Sequence, residues 1–211
     1  MLNINESIDR RVFFTSDWHW NHTREFVWGS RGYASVNDHN KAIIESTNEV
    51  VKENDILFNL GDLILNSTIA QFEELISQIK CKNMYMLFGN HPNKHYKEIY
   101  KPLVKTILGE NYTPESELYP LRYKNVVYYG PLIEAAVNGQ FICFCHYPIM
   151  SWNHISSGSW MIHGHMHCNN NPTNGKILDV GWDAYKKPLS FAEVKAIMNT
   201  RAVVGDGGHH I

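Results

Sequence analysis

The sequence predicts an α/β protein whose first half forms a mainly parallel sheet. Three observations carry this. Apolar, β-prone runs alternate with longer amphipathic stretches through the first ninety residues. That β-loop-α-β-α-β order implies right-handed crossovers between parallel strands. Each run also ends in a short polar motif, and ligands of such sheets bind beyond the carboxyl ends of the strands.

Taken in order, Val12 to Ser16 (Val-Phe-Phe-Thr-Ser) reads as a buried strand that exits at Asp17-Trp18-His19. A loop rich in Trp, His, Gly and Arg follows, to Gly32. Residues 35–54 read as an amphipathic helix: Ser35 is an N-cap with Asp38 three residues on, and Ala42, Ile43, Val50 and Val51 recur at helical spacing. Asp55 to Leu60 is the second strand and ends at Gly61-Asp62. Residues 68–80 form the next helix, with Ile69, Phe72, Leu75, Ile76 and Ile79 on its apolar side. Asn83 to Phe88 is the third strand, ending at Gly89-Asn90-His91.

The second half is richer in strands. Val126–Tyr129, Gln140–Cys145, Trp160–His163 and Lys176–Val180 are candidates, separated by turns at Gly130-Pro131, Asn138-Gly139 and Asn174-Gly175. Asn138-Gly139 between Val137 and Gln140 suits a hairpin. Two further motifs follow strands here: His146-Tyr147-Pro148 and Gly164-His165-Met166-His167. Residues 190–199 read as a short helix with Ser190 and Glu193 as a capping box.

At 211 residues the chain is expected to be a single domain over 1–204, with a flexible tail at 205–211. An apolar content of 44% supports a sizeable core, and a net charge of −2 gives no global attraction to nucleic acid. The four cysteines (Cys81, Cys143, Cys145, Cys168) lack C-x-x-C spacing and read as free thiols of a reducing compartment. Strand alternation turns Cys145 away from its neighbour His146. No apolar run reaches membrane-spanning length and the N-terminus does not resemble a signal peptide, so a soluble, cytoplasmic protein without a membrane partner is expected.

The five motifs together offer Asp, Asn and His side chains, a nitrogen and oxygen donor set that suits divalent transition metals. Each motif alone is weak. Five in order, each at the exit of a strand, are hard to explain as packing.

On these motifs the chain resembles the calcineurin-like metallophosphoesterases over residues 11–185. The likeness is greatest to the short bacterial and phage-type members, whose first motif continues with further histidines and an Arg-Gly-aromatic segment. Here those are His22 and Arg31-Gly32-Tyr33. The resemblance implies a four-layer βαβα sandwich of two mixed sheets flanked by helices. It implies two divalent transition ions, Mn foremost, with Fe, Zn or Ni compatible. Asp17, His19 and His167 would hold one ion, and Asn90, His146 and His165 the other. Asp62 would bridge both and help hold the hydroxide nucleophile between them. His91 would act beside the leaving group, as general acid or as a positive charge.

The implied activity is hydrolysis of phosphoesters. Two departures from the family pattern refine it. Pro92 replaces the acidic residue that often follows Gly-Asn-His, so another group must orient His91. Asp62 is followed by Leu63-Ile64-Leu65-Asn66, without the arginine of the family's phosphoprotein phosphatases. The preferred reading is a phosphodiesterase acting on a small nucleotide-like diester or on an accessible nucleic-acid end. If the chain is phage-encoded, its compartment is the host cytoplasm. A phosphomonoesterase of a small metabolite and a non-catalytic scaffold of the same fold are the alternatives. His22, Arg31 and Tyr147 are candidate substrate contacts, Arg24 and Arg31 as phosphate-binding guanidinium groups. Trp18 and Trp20 are weighed between base stacking and core packing. Asp183 is expected to hydrogen-bond around the site rather than react.

Overall fold

The computed structural model describes residues 1–90, 96–167 and 175–205. Its strands form two mixed sheets. The larger contains β2 (Val12–Thr15), β3 (Ile56–Asn59), β4 (Asn83–Leu87), β5 (Leu121–Tyr123), β6 (Val126–Gly130) and β11 (Leu189–Ser190), in the order β11-β2-β3-β4-β6-β5. β2, β3, β4 and β6 are parallel, and the two edge strands run antiparallel. The smaller sheet has the order β1-β7-β8-β9-β10, from β1 (Leu2–Ile4), β7 (Leu132–Val137), β8 (Gln140–Cys145), β9 (Trp160–His163) and β10 (Ile177–Asp179). There only the β7–β8 pair is antiparallel.

The apolar runs of the parallel strands are buried on both faces, as that sheet type requires. Successive residues therefore serve two cores. Val12, Phe14, Ile56, Phe58 and Leu87 point between the sheets, against Ile133, Ile142, Phe144 and Ile162 of the smaller one. Phe58 and Phe144 stack across the layer with ring centroids 4.7 Å apart. Phe13, Leu57, Met84 and Met86 point outward under the helices α2 (Val36–Val50), α3 (Ile69–Ser77) and α4 (Lys101–Leu108). The far face of the smaller sheet carries Cys143, Cys145 and Met161, covered by Trp152 and Ile155. Cys81, Cys143 and Cys145 are free and buried; Cys168 lies outside the described residues.

Local chemistry sets the helix ends. Ser35 caps α2 by accepting from the Asp38 N–H. This helix stops at Val50, four residues short of the expected end. The Asp55 carboxylate accepts from the N–H groups of Lys52 and Arg11, which draws the chain away from helical geometry. α3 begins with a complete Thr68–Gln71 capping box. It too stops early, where the Asn48 side chain accepts from Lys80 N–H and donates to the Gln78 carbonyl. The expected Ser190–Glu193 box caps the last helix, α6 (Phe191–Asn199). Asn138 and Gly139 both have positive φ and close the β7–β8 hairpin with Val137 opposite Gln140. Among the described residues no helix is long and apolar enough to cross a membrane.

This topology positions the site. Motifs one, two and three leave the carboxyl ends of neighbouring parallel strands β2, β3 and β4. Motifs four and five leave the carboxyl ends of the neighbouring parallel strands β8 and β9.

Candidate metal centre

Seven side chains from five loops meet where the two sheets end. Asp17, His19 and His167 have donor atoms within 4.8 Å of one another, as do Asp17, Asp62 and His146. Asp17 Oδ1 stands 3.8 Å from His19 Nε2 and 3.8 Å from His167 Nε2. Asp62 Oδ2 stands 3.9 Å from His19 Nε2 and 3.6 Å from His146 Nε2, so one oxygen faces a histidine of each group. These separations exceed hydrogen-bond reach. They suit donors that each lie about 2.0–2.2 Å from a common ion.

The backbone of this region is unusual. Five of the seven residues (Asp17, His19, Asp62, His165, His167) occupy the left-handed region, with φ between 48° and 70°. Non-glycine residues enter that region at a cost, and clusters of them mark functional sites. The loops also approach more closely than a side chain permits. A Cβ on Gly89 would lie 1.9 Å from Asp62 Oδ1, and one on Gly164 would lie 2.0 Å from Ser16 Oγ. Glycine at these two positions is therefore a packing requirement of the site.

Hydrogen bonds aim the donors. His165 N–H donates to Asp17 Oδ2 at 2.9 Å, which leaves Oδ1 turned toward the histidines. Asp17 Oδ1 is buried and has no hydrogen-bond partner among the described residues. Burial pushes the Asp17 carboxyl above its usual range, while His167, the His165 N–H, Ser16 and Arg31 pull it down. His146 is fully buried, and its Nδ1 lies 2.9 Å from the Leu60 carbonyl oxygen. A carbonyl only accepts, so Nδ1 carries the proton and Nε2 presents a lone pair. Burial pushes this imidazole down to about 3, which keeps it neutral. Its Nε2 then faces two further acceptors, Asn90 Oδ1 at 2.8 Å and Asp62 Oδ2 at 3.6 Å. His165 Nδ1 lies 3.0 Å from the same Asn90 oxygen. The facing lone pairs of His146 Nε2, Asn90 Oδ1 and Asp62 Oδ2 repel one another in the absence of a cation, and a divalent ion reconciles them. The residues present therefore fit a metal.

His167 is held differently. Its Nδ1 lies 2.7 Å from Asp183 Oδ2, so that nitrogen carries the proton and Nε2 turns to Asp17. The Asp183 hydrogen bond raises the His167 imidazole, against the effect of burial. Burial alone would raise the Asp183 carboxyl, but the bonds from His167 and Arg31 outweigh it and hold the group well below the usual carboxylate range.

The candidate substrate contacts fare unevenly. Tyr147 is 44% exposed and sits at the rim, its ring against His146 and His165. His22 is largely buried beside His19, with the exposed ring of Phe26 against its other side. Arg31 departs from the expectation of a phosphate contact. It is 9% exposed, and its guanidinium donates to Asp183, Trp18, His39 and Asp17. Those contacts use all five of its N–H groups, leaving none for a phosphate. Arg24 is exposed. Trp18 and Trp20 are fully buried, 4.8 Å apart, so core packing is their role rather than base stacking. His91, with Pro92, lies outside the described residues. His39, which meets the Arg31 guanidinium, and Asn40, whose amide pairs with that of Asn21, escaped sequence reasoning because they occupy the buried face of α2, where apolar residues were expected. Two polar residues facing the core of an amphipathic helix were the available signal.

Comparison with known proteins agrees with this geometry. The family model described as calcineurin-like phosphoesterase matches residues 10–196. An uncharacterized protein of Methanocaldococcus jannaschii is 26% identical over 160 residues, covering 76% of this chain and 71% of that protein. The Gene 66 protein of Mycobacterium phage D29 is 26% identical over 208 residues, covering 89% of this chain and 96% of that one. Among solved structures, a protein of unknown function from Aquifex aeolicus aligns with a TM-score of 0.60 at 18% identity, covering 89% of this chain and 99% of that one. At that identity the match speaks for the fold alone.

Proposed function

This chain belongs to the calcineurin-like phosphoesterase family and is a metal-dependent phosphoester hydrolase, and from that premise we propose that it is a phosphodiesterase of nucleotide-like diesters. In this reading Asp17, His19 and His167 hold one divalent transition ion, Asn90, His146 and His165 hold a second, and Asp62 bridges them. Mn is the foremost candidate, with Fe, Zn and Ni compatible with the same donors. When bound, such ions act as Lewis acids on phosphate oxygens and lower the pKa of water to give a nucleophile at neutral pH.

The observation that carries the reading is the crowding of lone pairs at His146 Nε2, Asn90 Oδ1 and Asp62 Oδ2 beside the unpartnered Asp17 Oδ1. The protein's own part is orientation. Leu60 fixes the His146 tautomer, Asp183 fixes that of His167, and the His165 N–H turns Asp17. His91 is proposed to protonate the leaving oxygen, as the residue after a ligand in the third motif.

Preference for a diester rests on charge. A monoester carries up to two negative charges near neutral pH and a diester carries one. Arg31 has no N–H left for a second phosphate oxygen, and the segment after Asp62 is the buried, uncharged Leu63-Ile64-Leu65. Exposed Tyr147 offers a planar leaving group an aromatic face at the rim. The buried free thiols accord with a cytoplasmic setting, and residues 1–204 with a single catalytic domain.

Hydrolysis of bis(p-nitrophenyl) phosphate and of p-nitrophenyl phosphate by the Mn-loaded protein tests this. Faster diester turnover is expected. Faster monoester turnover would make it a phosphomonoesterase, and inertness toward both would favour a non-catalytic scaffold.

A further inference from the structure

We infer that Arg31 and Asp183 form a positioning pair that sets the affinity of one metal position, the one made by Asp17, His19 and His167, and leaves the other nearly untouched. The inference rests on the dinuclear reading above and concerns residues outside the ligand set.

Arg31 lies in the loop before α2, and Asp183 in the short helix α5 (Trp182–Tyr185), 152 residues away. Their contact is a fork: Nε donates to Asp183 Oδ1 at 2.9 Å and Nη2 to Oδ2 at 2.6 Å. Asp183 Oδ2 then accepts from His167 Nδ1 at 2.7 Å. A bidentate guanidinium–carboxylate pair is geometrically stiff, so the imidazole it anchors inherits that orientation. His167 needs such an anchor, since its side chain is 38% exposed while those of Asp17 and His19 are almost fully buried.

The same guanidinium holds the first motif. Its Nη2 also donates to the Asp17 carbonyl at 2.9 Å, and its Nη1 to the Trp18 carbonyl at 3.1 Å. Its remaining N–H, on Nη1, meets His39 Nε2 at 2.9 Å, so α2 backs it from behind. One side chain thus fixes two of the three ligands of this position and brackets the loop that carries the third. The other position has its main supports elsewhere, with Leu60 behind His146 and Asn90 between His146 and His165; its link to the first, the His165 N–H bond to the Asp17 carboxylate, is made by neither Arg31 nor Asp183. The two positions are therefore separable by mutation.

Asp183→Asn is the informative change. It keeps shape but turns one acceptor into a donor, and both Asp183 oxygens are already committed as acceptors. Whichever way the amide faces, one donor meets another. Arg31→Lys is the second variant: it keeps the charge but has three donors and no fork.

The test is Mn²⁺ binding by chelator competition on the full chain, with near-ultraviolet circular dichroism to establish folding. Two binding steps are expected in the wild type. In Asp183→Asn and Arg31→Lys, one step should weaken by about 10- to 100-fold while the other moves less than about threefold. A general loosening of the fold would weaken both steps together and overturn the inference. Both steps unchanged in folded Asp183→Asn would also overturn it, while leaving the dinuclear reading intact. If Arg31→Lys fails to fold, Asp183→Asn decides alone; if both fail, the single-site weakening is measured on Asp183→Glu, which keeps the charge but displaces the fork. A wild type that binds no Mn²⁺ sinks this inference and the dinuclear reading alike.

Discussion

The backbone N–H of His165 and the Asp17 carboxylate, 148 residues apart, are joined by a 2.9 Å hydrogen bond that ties the fifth motif to the first. The bond is possible because Gly164 lets the two loops touch. A Cβ there would lie 2.0 Å from Ser16 Oγ and 2.4 Å from Asp17 Oδ2.

Gly164→Ala should therefore push the loops apart. A destabilisation of about 1–3 kcal/mol is expected, as for other overpacked sites. Mn²⁺ affinity should fall with it. Urea unfolding and a metal titration on the same variant check both. Wild-type affinity in the alanine variant would mean that the contact does not organise the site.

His39 gives the metal-free protein an acid-side weakness. Burial first, and then the Arg31 charge, push its imidazole down to about 3 from an ordinary 6.5. The folded state thus keeps it neutral where the unfolded chain protonates. A depressed pKa contributes stability that is present above about pH 6.5 and is lost as pH falls toward 3, with a slope of up to about 1.4 kcal/mol per pH unit. Urea unfolding at pH 7.5, 6 and 5 should show the decline. His39→Gln should flatten it, and an unchanged slope would exclude His39 as a source.

Trp18 and Tyr147 should separate stability from binding. Trp18 is fully buried and donates from Nε1 to Thr15 Oγ1. Trp18→Ala should cost about 3–5 kcal/mol. Tyr147→Ala, at the rim, should change stability by no more than about 0.5 kcal/mol and should raise KM for aryl diesters. Thermal unfolding beside steady-state kinetics tests both. A Tyr147 variant with unaltered KM would remove that ring from the substrate surface.

These residues also show what is legible in the sequence. The five polar motifs were readable because strand exits are visible as apolar runs that stop at Asp, Asn or His, and the topology gathers such exits. The parallel order of β2, β3 and β4 followed from the intervening helices. The short strands β1 and β11 were not readable, since two or three residues carry no pattern and are strands only through pairing with β7 and β2. Nor was the inward turn of Arg31. Its acceptors come from two backbone carbonyls, a helix face and Asp183 far along the chain, and local sequence cannot show which groups claim a guanidinium. The left-handed backbone at Asp17, His19 and His167 was hidden for a related reason, because glycine is the usual sign of positive φ.

Helix ends followed the same division. Ser35 and Ser190 cap as their local sequence indicates, while Thr68, expected inside its helix, caps it instead. The far ends of α2 and α3 are set by Asp55 and Asn48, through contacts that local periodicity does not encode.

The central claim is that seven donors hold two ions, with Asp62 between them. Its most direct measurement is the metal content of wild type and Asp62→Ala after saturation with Mn²⁺ and removal of loose ions, read by elemental analysis. Two ions per wild-type chain are expected, with a clear loss of bound metal and of diester turnover in the variant. A wild type retaining no ion, or an Asp62→Ala protein with full metal and full rate, would contradict it.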